Sequence, residues 1–298
     1  MPSGQGSGRS RLSSAALPFL GPAHGLVLAV IVLPALYVVW LSLTTSTFGK
    51  APTFVGLANY AHALTDPYFW RAMRNTIVVV LIVVHVELVL GLGMALLFAS
   101  GLPGRRYLLA AVLMPYAVSE VSAAVIFRFL FDADVGPVNL ALAALGLPPL
   151  EWSVVPAHGL VIIALLSIWL HLPFTFIILY AARLAIPTQF YEVARMDAAS
   201  GLRTFRYVTL PLLMPAILVA MLFRYIFAFR LFSEVWLMTQ GGPARSTEVL
   251  AVYLYLDAFR FNAFGSAAAT GWLMVLISLL LGAAYLWGLR RQMTRDAT

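Results

Sequence analysis

The sequence predicts an all-α protein that crosses a membrane six times. Of its 298 residues, 62% are hydrophobic and only 10% are charged, whereas soluble domains carry about 25% charged residues. The mean hydropathy of +0.92 comes from apolar runs of membrane-spanning length that recur along the whole chain. Because no polar stretch is long enough to form a core of its own, a single anchor on a globular domain is excluded.

The apolar runs place the six spans and divide the chain. We predict spans at about 22–44, 75–98, 107–131, 156–182, 211–237 and 267–289. Residues 1–21 form a polar, Gly/Ser-rich N-terminal segment, and residues 22–298 form one six-span domain. The first run is too long for a signal-peptide core and lacks a small-residue cleavage site, so we expect an uncleaved span.

The basic residues predict the orientation of these spans. With a cytoplasmic N-terminus, the inner segments hold Arg9, Arg11, Arg105, Arg106, Arg183, Arg195, Arg203, Arg206, Arg290, Arg291 and Arg295. The outer segments then hold Lys50, Arg71, Arg74, Arg245 and Arg260. This excess inside predicts a multi-pass protein of the cell inner membrane with both termini cytoplasmic. Membrane topology thus accounts for the net charge of +7, and we expect no nucleic-acid partner.

Several kinds of chemistry lack the residues they need. Without cysteine, disulfides, thiolate metal sites and thiol catalysis are excluded. The chain contains no HExxH or GxSxG motif, and no GxGxxG or GxxxxGK[ST] motif for a nucleotide. We therefore expect no catalytic residue, no bound metal and no cofactor on this chain.

A polar loop at about 183–211 is the most informative segment. Pro187 suits a first helical turn, and Ser200-Gly201 suits a helix end in left-handed geometry. A second short helix is predicted at about 202–208, with Pro211 starting the fifth span. Two interpretations stay open on amphipathicity alone: a knob that enters a groove on a soluble partner, or a helix that rests on lipid headgroups.

The residue spacing in this loop resembles the cytoplasmic signature of permease subunits in binding-protein-dependent ABC importers. That signature begins with Glu-Ala-Ala, has Gly after three further residues, and ends with Ile-x-Leu-Pro. The matching positions here are Glu192, Val193, Ala194, Ala198, Val208, Leu210 and Pro211. Val193 replaces Ala and Ala198 replaces Gly, so we expect the turn to have moved to Gly201.

Two further stretches resemble sugar-importer permeases. Residues 56–76 look like their first outer loop, and Thr239-Gln240-Gly241-Gly242-Pro243 with the residues after it looks like a later one. The chain is most similar to the first of the two maltose-transporter permeases and to its relatives for glycerol phosphate and disaccharides.

This resemblance implies a fold, partners and coupling residues. It implies the type I ABC importer permease fold, with coupling helices between spans 4 and 5, in a heterodimer with a second six-span permease. Two ATPase subunits that bind ATP and Mg, an extracytoplasmic solute-binding protein or lipoprotein, and a sugar-like solute complete the system. It places Glu192, Ala194, Asp197, Ala198 and Gly201 at the ATPase-docking surface and has Leu210 and Pro211 transmit the motion.

Charged residues inside the spans predict a polar layer near mid-membrane. Glu120 and Arg224 both lie about 20 Å from the inner end, and His85 and Glu87 lie near the middle. Such groups face a cavity or a partner. Glu120 and Arg224 form either a buried ion pair or a wall of a solute cavity, or both. We expect His85 to be a hydrogen-bonded core residue, and Glu87 to serve helix packing or subunit contact. Near the outer boundary, Arg128, Arg230 and Glu234 can snorkel.

Aromatic and hydrogen-bonding side chains near two prolines are candidates for a sugar path. Trp169, His171 and Thr175 surround Pro173, and Tyr116 and Ser119 lie beside Pro115. The proline at 173 frees a backbone carbonyl at mid-depth. Ordinary packing is the alternative for each aromatic. The candidate path residues are Tyr116, Ser119, Glu120, Trp169, His171, Thr175 and Arg224.

Two other functions remain open from the sequence. A self-contained proton-coupled secondary transporter would use His85, Glu87 and Glu120 as a relay. Alternatively, an ABC permease could carry a non-sugar solute such as glycerol phosphate. An unpaired Arg224 would favour a phosphorylated solute, whereas an Arg224–Glu120 pair would leave a neutral cavity.

Overall fold

Helices account for nearly all regular structure in the computed structural model, which describes residues 21–22 and 24–295, with side chains to residue 283. We number the helices α1 His24–Ser42, α2 Ala58–Thr65, α3 Pro67–Ala99, α4 Arg105–Ala117, α5 Glu120–Leu130, α6 Pro137–Ala144, α7 Pro156–Ala185, α8 Gln189–Met196, α9 Gly201–Ala228, α10 Ser233–Met238, α11 250–260 and α12 Phe264–Arg295. The description does not include residues 1–20, which make up nearly all of the predicted N-terminal segment. It also does not include the side chains of Arg290, Arg291 and Arg295, which were used to predict the orientation.

Five of these helices are long and apolar enough to cross a membrane by themselves: α1, α3, α7, α9 and α12. The predicted third span is broken, because α4 and α5 meet at an angle of 101°. Pro115 lies in a 3-10 turn at the end of α4, and Val118 has extended backbone angles. Counting the bent pair as one span gives the six that the sequence predicts.

Two spans have boundaries that differ from the prediction by eight to ten residues. The second span begins at Pro67 rather than at 75, because Asp66 caps α3 by accepting a hydrogen bond from the Tyr68 amide at 2.8 Å. The fifth span begins at Gly201 and ends at Ala228, whereas we predicted 211–237. Residues 229–232 are not helical and connect α9 to the short helix α10.

The core is built around the contact of α3 with α7. Gly91 lets the two helices approach closely: a Cβ there would come within 3.1 Å of the Thr175 methyl and 3.3 Å of the Phe176 amide nitrogen. Phe98, Phe176 and Tyr180 pack nearby as a buried aromatic group. In contrast, most side chains of α1 are exposed, which suits a helix that faces lipid or another subunit.

The end of the bundle that carries the 229–263 connection is closed by α11 and a small hairpin. Its strands, β1 Thr44–Thr45 and β2 Thr53–Phe54, are the exception to the all-α expectation. Asn75 donates to the carbonyls of Ser246 and Glu248 at 2.7 and 2.9 Å, fixing the 239–249 loop to α3. Within the connection, Tyr253 is buried, whereas Phe259 is exposed.

Candidate functional site

A cavity of about 600 Å³ lies where the α4–α5 break faces α7, α9 and α10. Its walls combine aromatic, apolar and ionisable side chains. They are Tyr116, Val118, Glu120, Ser167, Leu170, His171, Arg224, Phe227, Ala228, Arg230, Leu231, Phe232, Ser233 and Glu234. The predicted path residues Tyr116, Glu120, His171 and Arg224 therefore share one space.

Two of these side chains, Tyr116 and Glu120, lie on either side of the bend in the third span. Tyr116 lies in the 3-10 turn, where its ring stacks on Phe174 with centroids 6.5 Å apart. Ser119 caps α5 by accepting a hydrogen bond from the Ser122 amide at 3.2 Å. Glu120 then occupies the first turn of α5, where the helix dipole favours a carboxylate.

Arg224 pairs with Glu87 rather than with Glu120. Its Nε and Nη2 donate to the two carboxylate oxygens of Glu87 at 2.5 and 2.7 Å, and the two side chains are 2% and 0% exposed. Of the two alternatives for Glu120 and Arg224, the ion pair between them is therefore wrong, whereas both residues line the cavity. Glu87 serves the packing of α3 against α9 and is not exposed for subunit contact.

His171 faces the cavity with a fixed ring orientation. Its Nδ1 lies 2.9 Å from the Ser167 carbonyl one turn earlier in α7. Since a carbonyl can only accept, Nδ1 carries the hydrogen, which leaves Nε2 as the acceptor in the neutral ring. The cavity thus offers an acceptor from α7 beside the guanidinium of α9.

Three predicted path residues do not line the cavity. Ser119 is used as the helix cap, Trp169 packs against Phe127 with ring centroids 5.7 Å apart, and Thr175 is buried at the α3–α7 contact. For Trp169 the packing alternative is correct, and Thr175 was wrongly placed in the path.

Ten of the fourteen cavity residues were not predicted as path residues. Ser167, Phe227, Arg230 and Glu234 are among them. Arg230 and Glu234 were expected to snorkel at the boundary, yet both line the cavity, and Glu234 is 3% exposed. The non-helical connection 229–232 turns this part of the chain inward. Its signal in the sequence is weak because Phe229, Leu231 and Phe232 are apolar, like most of the helix before them.

His85 is not a core residue. Its side chain is exposed on α3, where Nδ1 donates to the Leu81 carbonyl at 2.8 Å. Glu87 is buried against Arg224. The residues of the hypothetical proton relay therefore do not face one another: one is exposed, one is ion-paired, and Glu120 lies on the cavity wall.

The opposite end of α7 and α9 carries the short helix α8. One face of α8 is buried through Ala194, which is 8% exposed, while Phe190, Val193 and Met196 are 49%, 51% and 78% exposed. The prediction that Ala194 lies at the surface is therefore wrong, whereas Glu192 and Asp197 are exposed. The exposed apolar stripe is Phe190, Val193 and Met196, at the i, i+3, i+6 spacing of one helical face.

The turn after α8 lies at Ala198, not at Gly201. Ala198 has a φ of +50°, and its amide donates to the Arg195 carbonyl while the Ala199 amide donates to the Ala194 carbonyl, both at 3.0 Å. This pattern is the Schellman motif. Gly201 instead begins α9, with Ser200 as its cap. The turn thus keeps the position at which the family signature has Gly.

The short helix predicted at 202–208 is continuous with the fifth span. A π-helical stretch, Phe205–Thr209, joins Gly201–Thr204 to the α-helix that contains Pro211. A local change of helix type accommodates the missing amide of Pro211. Leu210 packs against the core, and Pro211 is exposed inside the helix rather than at its start.

A groove of about 570 Å³ separates α8 from the start of α9. Its walls are mainly apolar, with an acidic and a basic side chain among them. They are Gln189, Phe190, Val193, Ala194, Asp197, Ala199, Arg203, Thr204, Tyr207 and Val208. Together with the apolar stripe, the groove presents a surface with both shape and charge for a partner.

Comparison with known proteins identifies the family. The family model described as "Binding-protein-dependent transport system inner membrane component" matches residues 87–293. The chain is 34% identical over 273 residues to the sulfoquinovosyl glycerol transport system permease protein SmoG of Agrobacterium fabrum, covering 91% of this chain and 89% of that one.

A second relative and a solved structure agree with that match. The trehalose/maltose transport system permease protein MalF of Thermococcus litoralis is 33% identical over 266 residues, covering 89% of this chain and 90% of that one. A chain in the structure of a bacterial alginate ABC transporter, in complex with an alginate pentasaccharide-bound periplasmic protein, shares the fold with a TM-score of 0.79 at 20% identity, covering 93% of each chain. The chain belongs to the family of binding-protein-dependent transport system inner membrane components, the multi-pass permease subunits of ABC transporters.

Proposed function

We propose that this chain forms half of the translocation path of an ABC importer for a neutral, sugar-like solute. A second six-span permease supplies the other half, and an extracytoplasmic binding protein or lipoprotein delivers the solute. Two ATPase subunits, which hold the ATP and Mg, drive the cycle. The chain itself holds no nucleotide and lies in the inner membrane with both termini cytoplasmic.

One observation carries this proposal: the same two helices line the cavity and hold the exposed loop helix. His171 on α7 and Arg224 on α9 face the cavity, and α8 connects the other ends of these two helices. A force applied to α8 therefore acts on both cavity walls. This arrangement supports a partner that moves the gate, rather than a chain that transports alone.

The charges of the cavity favour a neutral solute. The Glu87 carboxylate neutralises Arg224, so that cation is not free for a phosphate. Of the other ionisable side chains on the cavity wall, Glu120 and Glu234 are acidic and Arg230 is basic. This balance disfavours a phosphorylated solute such as glycerol phosphate. Tyr116, Phe227 and His171 supply the aromatic faces and hydrogen-bonding groups that a sugar needs.

The exposed face of α8 is the proposed coupling surface. Glu192 and Asp197 lie beside the stripe of Phe190, Val193 and Met196. We assign docking to these side chains and a supporting role to Ala194, Ala198 and Gly201, which shape the helix and its turn. Leu210 and Pro211, in the first part of α9, transmit the motion.

A charge reversal tests the coupling role. Glu192→Lys should lower ATP-driven uptake of labelled trehalose or maltose by about tenfold, since it reverses a charge at the docking surface, while membrane insertion stays normal. The assay uses proteoliposomes that contain the chain with its partner permease and the ATPases, with the solute-binding protein added. Glu151→Lys, also an exposed glutamate but in the 145–155 connection far from α8, is the matched control. Normal coupled uptake by Glu192→Lys, or gradient-driven uptake by this chain alone, would refute the proposal.

A further inference from the structure

Tyr191 connects the inward face of α8 to both neighbouring spans. The Arg183 guanidinium lies over its ring, 4.1 Å from the centroid, and its hydroxyl lies 3.2 Å from the Thr209 hydroxyl. The ring also packs against the hydrophobic core. The same side chain thus contacts the last turn of α7, which contains Arg183, and the π-helical stretch of α9, which ends at Thr209.

The two contacted residues lie on the helices that line the cavity. By the helical rise, Arg183 is about 18 Å from His171 along α7, and Thr209 is about 22 Å from Arg224 along α9. A displacement of Tyr191 therefore acts on both helices at the ends away from the cavity.

Helix α8 has an outward face, which is exposed, and an inward face, which packs against the bundle. Phe190, Val193 and Met196 are exposed, whereas Tyr191 and Ala194, also three residues apart, face the bundle. A partner that binds the outward face does not need to touch Tyr191. Docking and transmission consequently depend on different side chains, so that they can be separated by mutation.

The receiving end on α9 is a segment that deforms more easily than an α-helix. Phe205–Thr209 is π-helical, and isolated π-helical turns are often found at functional sites in helices. Thr209 is 4% exposed, so its contact with Tyr191 is protected from water. A protected polar contact beside a widened turn is suited to pass on a rotation.

We infer that Tyr191 is a positioning residue that transmits movement of α8 to α7 through Arg183 and to α9 through Thr209. This inference rests on the proposed function, since it requires a motor that moves α8. Tyr191 touches neither the solute cavity nor the outward face of α8, so its role is distinct from docking and from binding.

The test uses the absence of cysteine from the natural chain. A reporter, Phe227→Cys, lies on the cavity wall at 46% exposure, and its maleimide-labelling rate is measured with and without ATP in the whole complex in nanodiscs. A second reporter, Met196→Cys, is crosslinked to the ATPase. Each reporter is combined with one of three changes: Tyr191→Phe, Thr209→Val, or both. Tyr191→Phe keeps the ring over Arg183 but removes the hydroxyl. Tyr107→Phe, an exposed tyrosine at the start of α4, is the control.

We expect Tyr191→Phe to weaken the ATP-induced change in Phe227→Cys labelling by about fivefold, the factor of one net hydrogen bond. Thr209→Val should have the same effect, the double variant should be no worse than either, and the Met196→Cys crosslink should persist. Tyr107→Phe should respond like the unmodified chain.

Three results would overturn the inference. The first is an ATP response that is unchanged in Tyr191→Phe. The second is a joint loss of the crosslink and the response, which would assign Tyr191 to docking. The third is a double variant in which the two single effects multiply, which would make them independent. A failure of the proposed function is distinguishable, because the reporter background with no further change would then show no ATP response, and the inference would fall with it.

Discussion

At the scale of single residues, the partner of Arg224 determines the net charge of the cavity wall. That partner is Glu87. Both side chains are almost fully buried, and such a charge without a partner is strongly destabilising. The pair therefore fixes α9 to α3 and at the same time neutralises one of the two arginines that line the cavity. The proposal of a neutral solute rests on this pair more than on any aromatic side chain.

Removal of one charge from this pair should destabilise the protein. Glu87→Gln leaves Arg224 buried and unpaired, so we expect the free energy of unfolding to fall by about 3–5 kcal/mol, measured by thermal or denaturant unfolding in detergent. Replacement of both residues by Met should recover most of the loss. Glu120→Gln is the control, since Glu120 is exposed; an equal loss in that variant would contradict the assignment.

Ala198 is a second residue whose backbone decides its role. A non-glycine residue at a φ of +50° is strained by its Cβ, so Ala198→Gly should stabilise the protein by about 1 kcal/mol. Ala198→Val should destabilise it, because a β-branched side chain tolerates positive φ poorly. Gly201→Ala is the comparison: it has ordinary helical geometry and no atom within 4 Å of an added Cβ. Unfolding midpoints check all three, and a stabilising Ala198→Val would exclude this account.

Among the elements, α11 and the loop before it close one end of the bundle through buried polar contacts. Arg245 donates to both carboxylate oxygens of Glu248 at 2.6 and 2.7 Å and lies over the Tyr68 ring. The Tyr253 hydroxyl donates to Asp66 at 2.8 Å. Asp257 accepts a hydrogen bond from Ser266 at 2.8 Å, which ties α11 to the start of α12.

The stability of this end should depend on pH through Asp257. Burial raises the pKa of its carboxyl above the ordinary 3.8, and the Ser266 hydrogen bond offsets part of that rise. Because the folded-state pKa is raised, the stability that Asp257 contributes is complete below about pH 4 and is lost as the pH rises through the folded-state value. Asp257→Asn should therefore unfold at a higher temperature than the unmodified chain at neutral pH, with the difference vanishing near pH 4. A difference that is constant across this range would show that Asp257 does not titrate with folding.

For the whole molecule, the position of α8 at one end of α7 and α9 fixes what the chain can do. The cavity and α8 are separated by most of the length of these helices, so a partner that binds α8 cannot reach the solute. Transport then requires movement of the helices themselves. This separation is a property of the assembled fold and of no single helix.

The orientation of the whole chain can be tested with one substitution in the cysteine-free background. Met196→Cys, at a position 78% exposed, should react with a membrane-impermeant maleimide only in inverted vesicles, because we place α8 on the cytoplasmic side. Phe48→Cys, 80% exposed in the 43–57 connection at the opposite end, should react only in right-side-out vesicles. The reverse pattern would place both termini outside.

Some features of the cavity and of α8 could be predicted from the sequence, and others could not. Charged residues inside apolar runs pointed to Glu120 and Arg224, which line the cavity, and the exposed position of Glu192 and Asp197 follows from the amphipathic pattern. The partner of Arg224, the inward face of Glu234 and the buried position of Ala194 do not. Each depends on how a helix is rotated about its axis, and rotation is set by neighbours that are distant in the sequence.

The sequence by itself determined the number of spans, the place of the loop between α7 and α9, and the family, because apolar length and local spacing are properties of contiguous residues. Only the tertiary structure decided that Arg224 pairs with Glu87, that the third span bends, and that Tyr191 contacts both α7 and α9. Glu87 and Arg224 are 137 residues apart, and they meet because a buried charge needs a partner of opposite sign. The bend and the Tyr191 contacts depend in the same way on how neighbouring helices pack, which local spacing does not specify.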